Sequence, residues 1–266
     1  MSVLLEAKGA CKYFGGLHAV EKVDMRVNKG DIFGIIGPNG AGKTTFFNLC
    51  TKVYSLTAGQ IFFDGVDITR KKSEEIARLG MARTFQNIHL FNAMSVLENV
   101  KVGFHIHTRS NMVDAVLHTR RYREETERTM ERAQEILKMV GIDKYRDVNA
   151  GNLAYGLQRK VEIARALALD PKILLLDEPV AGMNITETAD LKAFIEELNG
   201  MGYTIVVIEH DMKFVMNTCN NILALNFGQK ICEGPPAEIV SNEEVIKAYF
   251  GAGTFVKEAM KAHDSR

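Results

Sequence analysis

The chain has 266 residues, of which 46% are hydrophobic and 25% charged, and its 33 Lys and Arg residues balance its 33 Asp and Glu residues. This composition is typical of a globular protein and argues against disorder as the main state. The zero formal net charge argues against a protein dedicated to nucleic-acid backbones, which usually carries a basic excess, so no nucleic-acid partner is expected.

Neither a membrane-spanning run nor a secretion signal is visible in the sequence. The strongest apolar run, residues 173–176, ends at Asp177 and falls far short of the roughly 18 residues that cross a bilayer. Residues 1–6 lack the basic stretch and long apolar stretch of a signal peptide, so we expect a cytosolic chain. The cysteines are too scattered for a zinc site or a disulfide framework, which favours reduced and mostly buried thiols. They are Cys11, Cys50, Cys219 and Cys232.

The first elements along the chain are predicted strands. Residues 3–8 and 20–27 carry β-type content and are compatible with a small antiparallel sheet beside the core. Residues 32–36 form a short apolar run, which is typical of a strand buried on both faces of a parallel sheet. Similar runs at 172–176 and 204–208 are separated from it by helical patterns, so the sequence predicts an α/β layer fold.

A glycine-rich turn follows the strand at 32–36 and matches the phosphate-loop pattern G-x-x-x-x-G-K-[ST]. Glycines let backbone N–H groups crowd around phosphate oxygens, and the following helix directs its positive end at them. Lys43 is expected to reach the β- and γ-phosphates, and the Thr44 hydroxyl to ligate Mg²⁺. The strand–loop–helix context argues against a chance match, so we predict nucleoside triphosphate binding. The predicted cradle comprises Gly37, Pro38, Asn39, Gly40, Ala41, Gly42, Lys43, Thr44 and Thr45.

The middle of the chain has a different pattern. From about residue 95 to residue 169 there is almost no strand signal, and residues 120–140 are highly charged with apolar residues at helical spacing. A helical insert within the α/β core is therefore predicted. Gln86 stands where the core gives way to this insert, and its amide can ligate Mg²⁺ or orient water. A glutamine in isolation carries no such meaning.

Two acidic residues follow the apolar strand at 172–176. Asp177, at the strand end, is a candidate Mg²⁺ ligand, and Glu178 next to it is a candidate general base for an attacking water. In isolation, such a pair is more often a cap or a surface turn. Downstream of a phosphate loop, the functional interpretation is favoured. A helical pattern follows at 189–198.

His210 follows the β-branched run at 204–208. Alone, it is more readily interpreted as a structural histidine than as a catalytic one. Strands of an α/β sheet place their carboxyl ends at the ligand crevice, which favours a role at the site for His210.

The C-terminal region predicts further regular structure. Residues 221–233 are expected to form one or two strands with a turn at Gly228. A short helix is expected to start at Pro235 and Pro236, since proline suits a first helical turn. Residues after Gly251 are expected to form a loosely held tail.

Together, these motifs resemble those of the ATP-binding subunits of ABC transporters, and the resemblance covers about residues 4–250. The loop at 37–45 resembles the Walker A motif, and residues 173–178 resemble Walker B with its catalytic glutamate. Three further matches are the Q-loop at Gln86, the D-loop at residues 181–184 and the switch histidine at His210. Phe14, or less strongly Tyr13, matches the aromatic residue that stacks on adenine.

The resemblance implies an α/β fold with a RecA-like P-loop NTPase core, a small antiparallel β subdomain and an inserted α-helical subdomain. The resemblance also implies one ABC ATPase domain, residues 4–250, that is divided into a core and an insert. The core is expected at 4–86 and 166–250, the helical insert at 87–165, and a C-terminal tail at 251–266.

The signature motif departs from the family's usual Leu-Ser-Gly-Gly-Gln. Here it reads Leu153, Ala154, Tyr155, Gly156 and Leu157, so Ala154 replaces a serine whose hydroxyl would contact the γ-phosphate across a dimer. The Gly156 N–H and the following helix N-terminus can still face that phosphate. The Leu-Ala-Tyr-Gly form is similar to one branch, the ATPases of branched-chain amino-acid importers, which often carry Gln at position 157.

The resemblance implies an ATPase coupled to transmembrane transport, with ATP and Mg²⁺ as cofactors and two ATPase subunits that sandwich ATP head to tail. The second subunit is this chain or a paralogue, and its residues contribute in trans. The implied catalytic residues are Glu178, His210 and Gln86, and the implied metal ligands are Thr44, Gln86 and Asp177. The implied trans residues are Leu153, Ala154, Tyr155, Gly156, Gln158 and Asn184.

Permease subunits and, indirectly, a periplasmic or extracellular solute-binding protein are the other implied partners. The implied location is peripheral, on the cytoplasmic face of the inner membrane. The branch implies import of branched-chain amino acids or a related small polar solute. The solute itself is not readable from the ATPase, since fold alone does not specify it.

Other functions remain open at this point. One is an exporter ATPase of the lipopolysaccharide-export type, which carries similar motifs. Only further stretches that resemble the importer branch argue against it, and they are residues 14–17, 83–88, 90–91, 94–100 and 161–167. Another is a soluble ABC-type ATPase coupled to nucleic acid or iron–sulfur assembly, for which the chain shows neither a long coiled coil nor a duplicated ATPase unit. A third is a nucleotide-binding regulator, which a C-terminal regulatory domain would favour.

Overall fold

The computed structural model describes residues 2–108 and 110–250, with the side chain of Phe250 excepted. The predicted tail at 251–266 lies outside these residues. Two units are distinguished along the chain, one formed by Met1–Ile76 with Ile195–Arg266 and the other by Ala77–Phe194. We call them unit 1 and unit 2.

The described residues form both strands and helices, as the apolar runs and helical patterns predict. The strands are β1 (Val3–Phe14), β2 (Leu17–Asn28), β3 (Ile32–Ile36), β4 (Ala58–Phe63), β5 (Val66–Asp67), β6 (Met81–Arg83), β7 (Ile173–Asp177), β8 (Thr204–Ile208), β9 (Asn221–Asn226) and β10 (Gln229–Gly234). The α-helices are α1 (Lys43–Cys50), α2 (Ser73–Arg78), α3 (Val96–Gly103), α4 (Met112–Val116), α5 (Arg120–Met139), α6 (Tyr155–Leu167), α7 (Ile185–Gly200), α8 (Met212–Thr218), α9 (Pro236–Ser241) and α10 (Glu243–Phe250).

Unit 1 contains the predicted antiparallel sheet, whose strands lie in the order β2-β1-β4-β5. In β2, Val23, Met25 and Val27 are buried while the residues between them are exposed, which is the alternation of a sheet with one face in the core. The expectation of a small antiparallel sheet in the first 30 residues is confirmed. Both N-terminal strands are longer than the β-type runs indicate.

A second sheet in unit 1 positions the phosphate loop. β3 lies between β8 and β9 and runs parallel to both, and β10 pairs antiparallel with β9. All five residues of β3 and of β8 are buried. Ile35 pairs with Ile208, so the carboxyl ends of β3 and β8 meet at one edge of the sheet. This is the edge where α/β folds place ligand sites.

In unit 2, β6 and β7 form a parallel pair. Met81 pairs with Ile173 and Arg83 with Leu175, and every residue of β7 is buried. The sequence predicts β7 but not β6, whose three residues are too few to give a pattern. The pairing brings Arg83 to the carboxyl end of β7, beside Asp177.

The rest of unit 2 is helical, as predicted, and residues 95–108 and 110–169 contain no strand element. A Cβ at Gly103, the last residue of α3, would lie 2.4 Å from the carbonyl oxygen of Arg165 in α6. Only glycine therefore allows these two helices to approach so closely. The buried Asn99 amide fixes the preceding loop, since it donates to the carbonyls of Phe91 (3.1 Å) and Ser95 (3.0 Å).

The thiols are free, as predicted. Cys11, Cys50 and Cys219 are buried and Cys232 is half-buried. Burial raises the pKa of Cys50 and of Cys219 to about 12, so both thiols stay protonated at neutral pH. Among the described residues, no helix combines the length and the apolar character needed to cross a bilayer.

Candidate functional site

The phosphate loop joins β3 to α1 in unit 1. Gly42 precedes α1 with φ +93°, a left-handed conformation that glycine adopts without steric cost, and no side chain caps the helix. The first turn of an α-helix leaves backbone N–H groups without intrahelical partners, and these suit an anion. The helix start therefore has the form of a phosphate site.

Lys43 lies folded across this loop. Its side chain is only 7% exposed, and its ammonium donates to the carbonyl oxygens of Gly37 (2.6 Å) and Pro38 (3.1 Å). These contacts hold a positive charge against the backbone of the phosphate loop. A phosphate would be bound there by charge-assisted hydrogen bonds.

Neighbouring strands form the outer wall of the loop. Gly228, in the turn between β9 and β10, donates its N–H to the carbonyl oxygen of Ala41 (3.0 Å) and accepts a bond from the Glu21 N–H (2.8 Å). A Cβ at Gly42 would lie 2.5 Å from the carbonyl oxygen of Ala19. The glycine pattern of the motif thus serves the packing of the loop as well as access of phosphate to its backbone.

His210 lies at the same sheet edge as the loop, two residues after the end of β8. Its ring is 59% exposed, and Nδ1 lies 3.7 Å from the carboxylate of the fully buried Glu209. The backbone of Glu209 is tied to β3, since its N–H donates to the Ile35 carbonyl (3.3 Å). The structure therefore brings His210 and the phosphate loop to one end of the unit 1 sheet.

The two aromatic candidates at the end of β1 differ in their surroundings. The Tyr13 ring is stacked on His18 at a centroid distance of 4.1 Å, whereas Phe14 is 43% exposed and makes an edge contact with Tyr54 at 5.5 Å. The ammonium of Lys12 also lies 5.0 Å from the Phe14 ring centre. Phe14 has the more accessible ring.

The acidic pair lies at the end of β7 in unit 2. Asp177 is 3% exposed, and its carboxylate accepts a hydrogen bond from Arg83 at 2.9 Å. Burial raises the pKa of Asp177 above its ordinary value, and the bond from Arg83 acts against that rise. Asp177 is thus a buried carboxylate whose charge is partly neutralised by a neighbouring guanidinium.

Glu178 and Gln86 are in direct contact. The Gln86 Nε2 donates to the Glu178 carboxylate at 3.0 Å. Glu178 has φ +45°, a left-handed conformation that is uncommon for a residue with a side chain and that tends to occur at functional sites. The contact joins two residues that the sequence predicts to act together.

A buried ion pair on α6 holds the backbone of the Gln86 loop. Arg159 is fully buried and donates to the carbonyl oxygens of Phe85 (2.8 Å) and Gln86 (2.9 Å), as well as to Glu162 (2.7 Å). The other oxygen of Glu162 accepts the N–H of Phe85 at 3.3 Å. We call this group of contacts the Arg159 clamp.

The signature stretch begins α6, so the clamp belongs to the same helix. Ala154 is the N-cap residue, and no side chain caps the helix. Gln158 turns back to donate to the carbonyl oxygen of Leu153 at 2.9 Å. The Tyr155 hydroxyl lies 3.5 Å from Arg159. The motif thus presents an uncapped helix start, as does the phosphate loop.

The D-loop lies beside this helix start. A Cβ at Gly182 would lie 3.7 Å from the Tyr155 ring. Asn184 accepts the Glu187 N–H and donates its own N–H to the Glu187 carboxylate, both at 3.0 Å, which forms a reciprocal cap on α7. In this structure the Asn184 side chain therefore caps its own helix.

Each unit collects part of the predicted site. Phe14, the loop at 37–45 and His210 lie in unit 1, and Gln86, Asp177, Glu178, the stretch 153–158 and Asn184 lie in unit 2. No motif in the sequence identifies Arg83, Arg159 or Glu162. The available signal was the i, i+3 spacing of the opposite charges Arg159 and Glu162 in α6.

A concave surface of unit 2 lies beside the Gln86 loop. The cavity has a volume of about 250 Å³, and Phe85, Val102, Ile106 and Leu169 form its apolar wall. Phe85 and Val102 are 46% and 38% exposed. This groove can accept an apolar side chain from another molecule.

Comparison with known protein families gives two matches. The ABC transporter family model matches residues 20–181, and the model of the branched-chain amino acid ATP-binding cassette transporter matches residues 229–254. The first range includes the phosphate loop, Gln86, the signature stretch and the acidic pair. The second begins with β10.

Curated relatives match along nearly the whole chain. The chain is 43% identical to the high-affinity branched-chain amino acid transport ATP-binding protein BraF of Pseudomonas aeruginosa, over 93% of this chain and 98% of BraF. It is 41% identical to LivG, a protein of the same description from Escherichia coli, over the same shares of each chain. It is 36% identical to a probable LivG of Archaeoglobus fulgidus, over 94% and 96%.

Solved structures give the same result for the fold. A nucleotide-free ATP-binding cassette from an ABC transporter matches with a TM-score of 0.82 and 33% identity, over 94% of this chain and 99% of that one. An ABC transporter cassette in its ADP conformation matches with a TM-score of 0.83 and 32% identity, over 94% and 100%. A dimeric cassette bound to ADP and phosphate matches with a TM-score of 0.73 and 26% identity, over 88% and 99%.

Proposed function

Because the chain belongs to the ABC transporter family of ATP-binding proteins, we propose that it is the ATP-hydrolysing subunit of an importer for branched-chain amino acids. The observation that carries this proposal is the 43% identity to BraF over 93% of the chain. The match of residues 229–254 to the branched-chain model supports the importer branch over the export branch.

ATP binds through unit 1 in this proposal. The backbone N–H groups of the loop at 37–45 and the start of α1 hold the β- and γ-phosphates, and Lys43 exchanges its carbonyl partners for phosphate oxygens. Phe14 stacks on the adenine, a role that its exposed ring supports and the stacked ring of Tyr13 does not. His210, at the same sheet edge, contacts the γ-phosphate.

The donor set fits Mg²⁺. Thr44, Gln86 and Asp177 supply hydroxyl, amide and carboxylate oxygens, which are the hard ligands that Mg²⁺ prefers. A bound Mg²⁺ would neutralise negative charge on the β- and γ-phosphates. Because Asp177 is buried and already hydrogen-bonded to Arg83, its carboxylate is held in one place before the ion binds.

Hydrolysis relies on unit 2. Glu178 accepts a proton from the attacking water as general base. Gln86, which donates to the Glu178 carboxylate, fixes that side chain and orients the water. The Arg159 clamp binds the carbonyl oxygens of Phe85 and Gln86, which precede and follow the Gln86 Cα. The backbone of Gln86 is therefore fixed, and its side chain extends from a defined position.

A second ATPase subunit completes each site. The residues that it contributes in trans come from the signature stretch and the D-loop, and they are Leu153, Ala154, Tyr155, Gly156, Gln158 and Asn184. The uncapped start of α6 supports this role, since it offers N–H groups to a γ-phosphate. The second subunit is this chain or a paralogue, and the two lie head to tail.

The remaining partners are permease subunits and, through them, an external solute-binding protein. The chain acts from the cytoplasmic face of the membrane as a peripheral subunit. The groove lined by Phe85, Val102, Ile106 and Leu169 supports a permease contact, because it adjoins the Gln86 loop and exposes apolar side chains. Movement of that loop with nucleotide would then reach the permease.

The test is a reconstituted transporter made from this chain, its permease subunits and the second ATPase. We expect leucine-loaded binding protein to stimulate ATP hydrolysis, and Glu178→Gln to abolish it with ATP binding retained. Arg128→Met, a change of an exposed charge on α5, is the matched control. ATP hydrolysis that ignores every loaded binding protein would reject the importer function and leave only the ATPase.

A further inference from the structure

Arg83 and Asp177 form a buried ion pair at the carboxyl end of β7 in unit 2. The Arg83 Nη2 donates to the Asp177 Oδ2 at 2.9 Å, and the two side chains are only 13% and 4% exposed. Within the part of the chain that the structure describes, no second donor contacts this carboxylate. The pair therefore commits one carboxylate oxygen to a guanidinium and leaves the other, Oδ1, to an ion or to a water that the ion holds.

Backbone pairing and an aromatic ring hold the two partners in place. Arg83 pairs with Leu175 in the β6–β7 ladder, and the N–H of the next residue, Thr84, donates to the Leu175 carbonyl at 2.9 Å. The Thr84 hydroxyl in turn accepts the Asp177 N–H at 3.4 Å. The Arg83 guanidinium also lies over the Phe85 ring, 5.2 Å from its centre. Both members of the ion pair are therefore anchored to the same strand ladder.

The number of oxygens that a carboxylate offers bears on which divalent cation it favours. Ca²⁺ takes more oxygen ligands than Mg²⁺ and can bind both oxygens of one carboxylate, whereas Mg²⁺ demands near-octahedral geometry and keeps several waters. Because Arg83 holds Oδ2, the Asp177 carboxylate offers Oδ1 alone. This restriction costs Mg²⁺ little, and it removes a ligand that Ca²⁺ can use.

We propose that Arg83 is a positioning residue that acts through Asp177 and selects Mg²⁺ over Ca²⁺ as the ion that accompanies ATP. This inference rests on the proposed function, in which Asp177 is a ligand of that ion, and it adds the residue that sets the ion selectivity. Residues that orient a metal ligand commonly affect metal binding as strongly as a change to the metal's own surroundings. A solvent-exposed arginine would serve less well, because water competes for its hydrogen bonds.

The competing interpretation is that Arg83 serves only to neutralise a buried charge. The two interpretations differ in what they predict for the two ions. Loss of a positive charge beside Asp177 alters the attraction of Mg²⁺ and of Ca²⁺ alike, because the two ions carry the same charge. The ratio of the two affinities cancels that effect and reports how the carboxylate is presented. A purely neutralising role would therefore leave the ratio unchanged.

The experiment measures how tightly a fluorescent, non-hydrolysable ATP analogue binds the full chain in excess Mg²⁺, in excess Ca²⁺ and with a chelator. We expect the unmodified chain to bind the analogue more tightly with Mg²⁺ than with Ca²⁺. Arg83→Met should lower the ratio of the two affinities by roughly tenfold, the usual effect of removing a residue that orients a metal ligand. Arg83→Lys, which keeps a charged donor, should retain most of the ratio. The matched control is Arg165→Met, which removes a second guanidinium from the groove that Arg83 also lines.

Thermal unfolding is recorded for each variant, since Arg83→Met leaves a buried carboxylate without its partner. An unchanged ratio in folded Arg83→Met would overturn the proposal, as would an equal fall in Arg165→Met or loss of the preference in Arg83→Lys. Equal binding with Mg²⁺ and Ca²⁺ by the unmodified chain would overturn it whether or not the variants fold. These results leave the proposed ATPase standing, whereas an unmodified chain that binds no analogue under any condition would reject that function as well.

Discussion

Substituting Arg159 gives the sharpest test of how the hydrolytic residues are held. Arg159→Met keeps a side chain of similar length and removes the charge, which leaves the carboxylate of Glu162 buried at 2% exposure without its partner. Breaking a buried ion pair from one side costs about 3–5 kcal/mol. For a chain of this size we expect a fall in Tm of roughly 10 °C.

The double variant Arg159→Met/Glu162→Leu separates stability from activity. It removes both charges, so the desolvation penalty disappears. The atoms that lose a partner are the carbonyl oxygens of Phe85 and Gln86, the Phe85 N–H and the Tyr155 hydroxyl. We expect the double variant to be more stable than Arg159→Met, with a coupling between the two sites of a few kcal/mol, above the roughly 0.5 kcal/mol seen for independent sites.

ATP hydrolysis should not recover with stability. Without the clamp, the Gln86 loop is no longer fixed, and misplacing a reacting group by about 1 Å costs on the order of 100-fold in rate. We expect kcat to fall by roughly 10- to 100-fold in both variants, with little change in KM for ATP, because the phosphate loop is untouched. Steady-state hydrolysis and thermal unfolding measure these effects, and Arg128→Met is the surface control. Full activity in the double variant would refute the clamp, and a double-variant loss equal to the sum of the single losses would refute the coupling.

Three further predictions follow from individual positions. Ala154→Ser supplies the missing N-cap of α6 and should add about 1 kcal/mol of stability, a rise of roughly 3 °C in Tm that calorimetry would detect; an unchanged Tm would contradict it. Gly42→Ala places a Cβ 2.5 Å from the Ala19 carbonyl oxygen, whereas nothing lies within 4 Å of a Cβ at Gly40. Gly42→Ala should therefore weaken binding of a fluorescent ATP analogue far more than Gly40→Ala. Equal losses of affinity would show that backbone conformation alone matters. Burial raises the pKa of Cys50 and Cys219 to about 12, so at pH 8 a thiol reagent should modify them only after unfolding in guanidinium, and prompt labelling of either would contradict their burial.

The sequence predicts the elements with strong local patterns. Residues 32–36 and 204–208 are strands with those bounds, and the charged stretch at 120–140 is the helix Arg120–Met139. Continuous apolar runs and helical periodicity identify such elements because burial is their cause. The sequence shows no such burial pattern for β6 or α4. β6 has only three residues, and α4 exposes the side chains that a pattern argument would bury.

The site shows the same limit. Motif residues such as Lys43 and Glu178 are identifiable because their chemistry requires fixed residue types at fixed spacing. Arg83, Arg159 and Glu162 act on backbone carbonyls and neighbouring carboxylates, and no spacing rule relates them to those partners. Arg159 lies 73 or 74 positions along the chain from the residues whose carbonyls it binds. Only the packing of unit 2 brings these residues together.

The position of Arg159 connects two roles proposed for α6. The start of this helix is the signature stretch, which in the proposed head-to-tail pair would face the nucleotide of the partner subunit. Four residues after Tyr155, the same helix donates to the carbonyl of its own Gln86, whose side chain contacts Glu178. In that pair, a shift of α6 on contact with the partner's γ-phosphate would therefore move the backbone of Gln86, which contacts the proposed general base Glu178. Coupling between two sites requires an element that both sites contact. Helix α6 meets this requirement because its buried Arg159 connects it rigidly to the Gln86 loop.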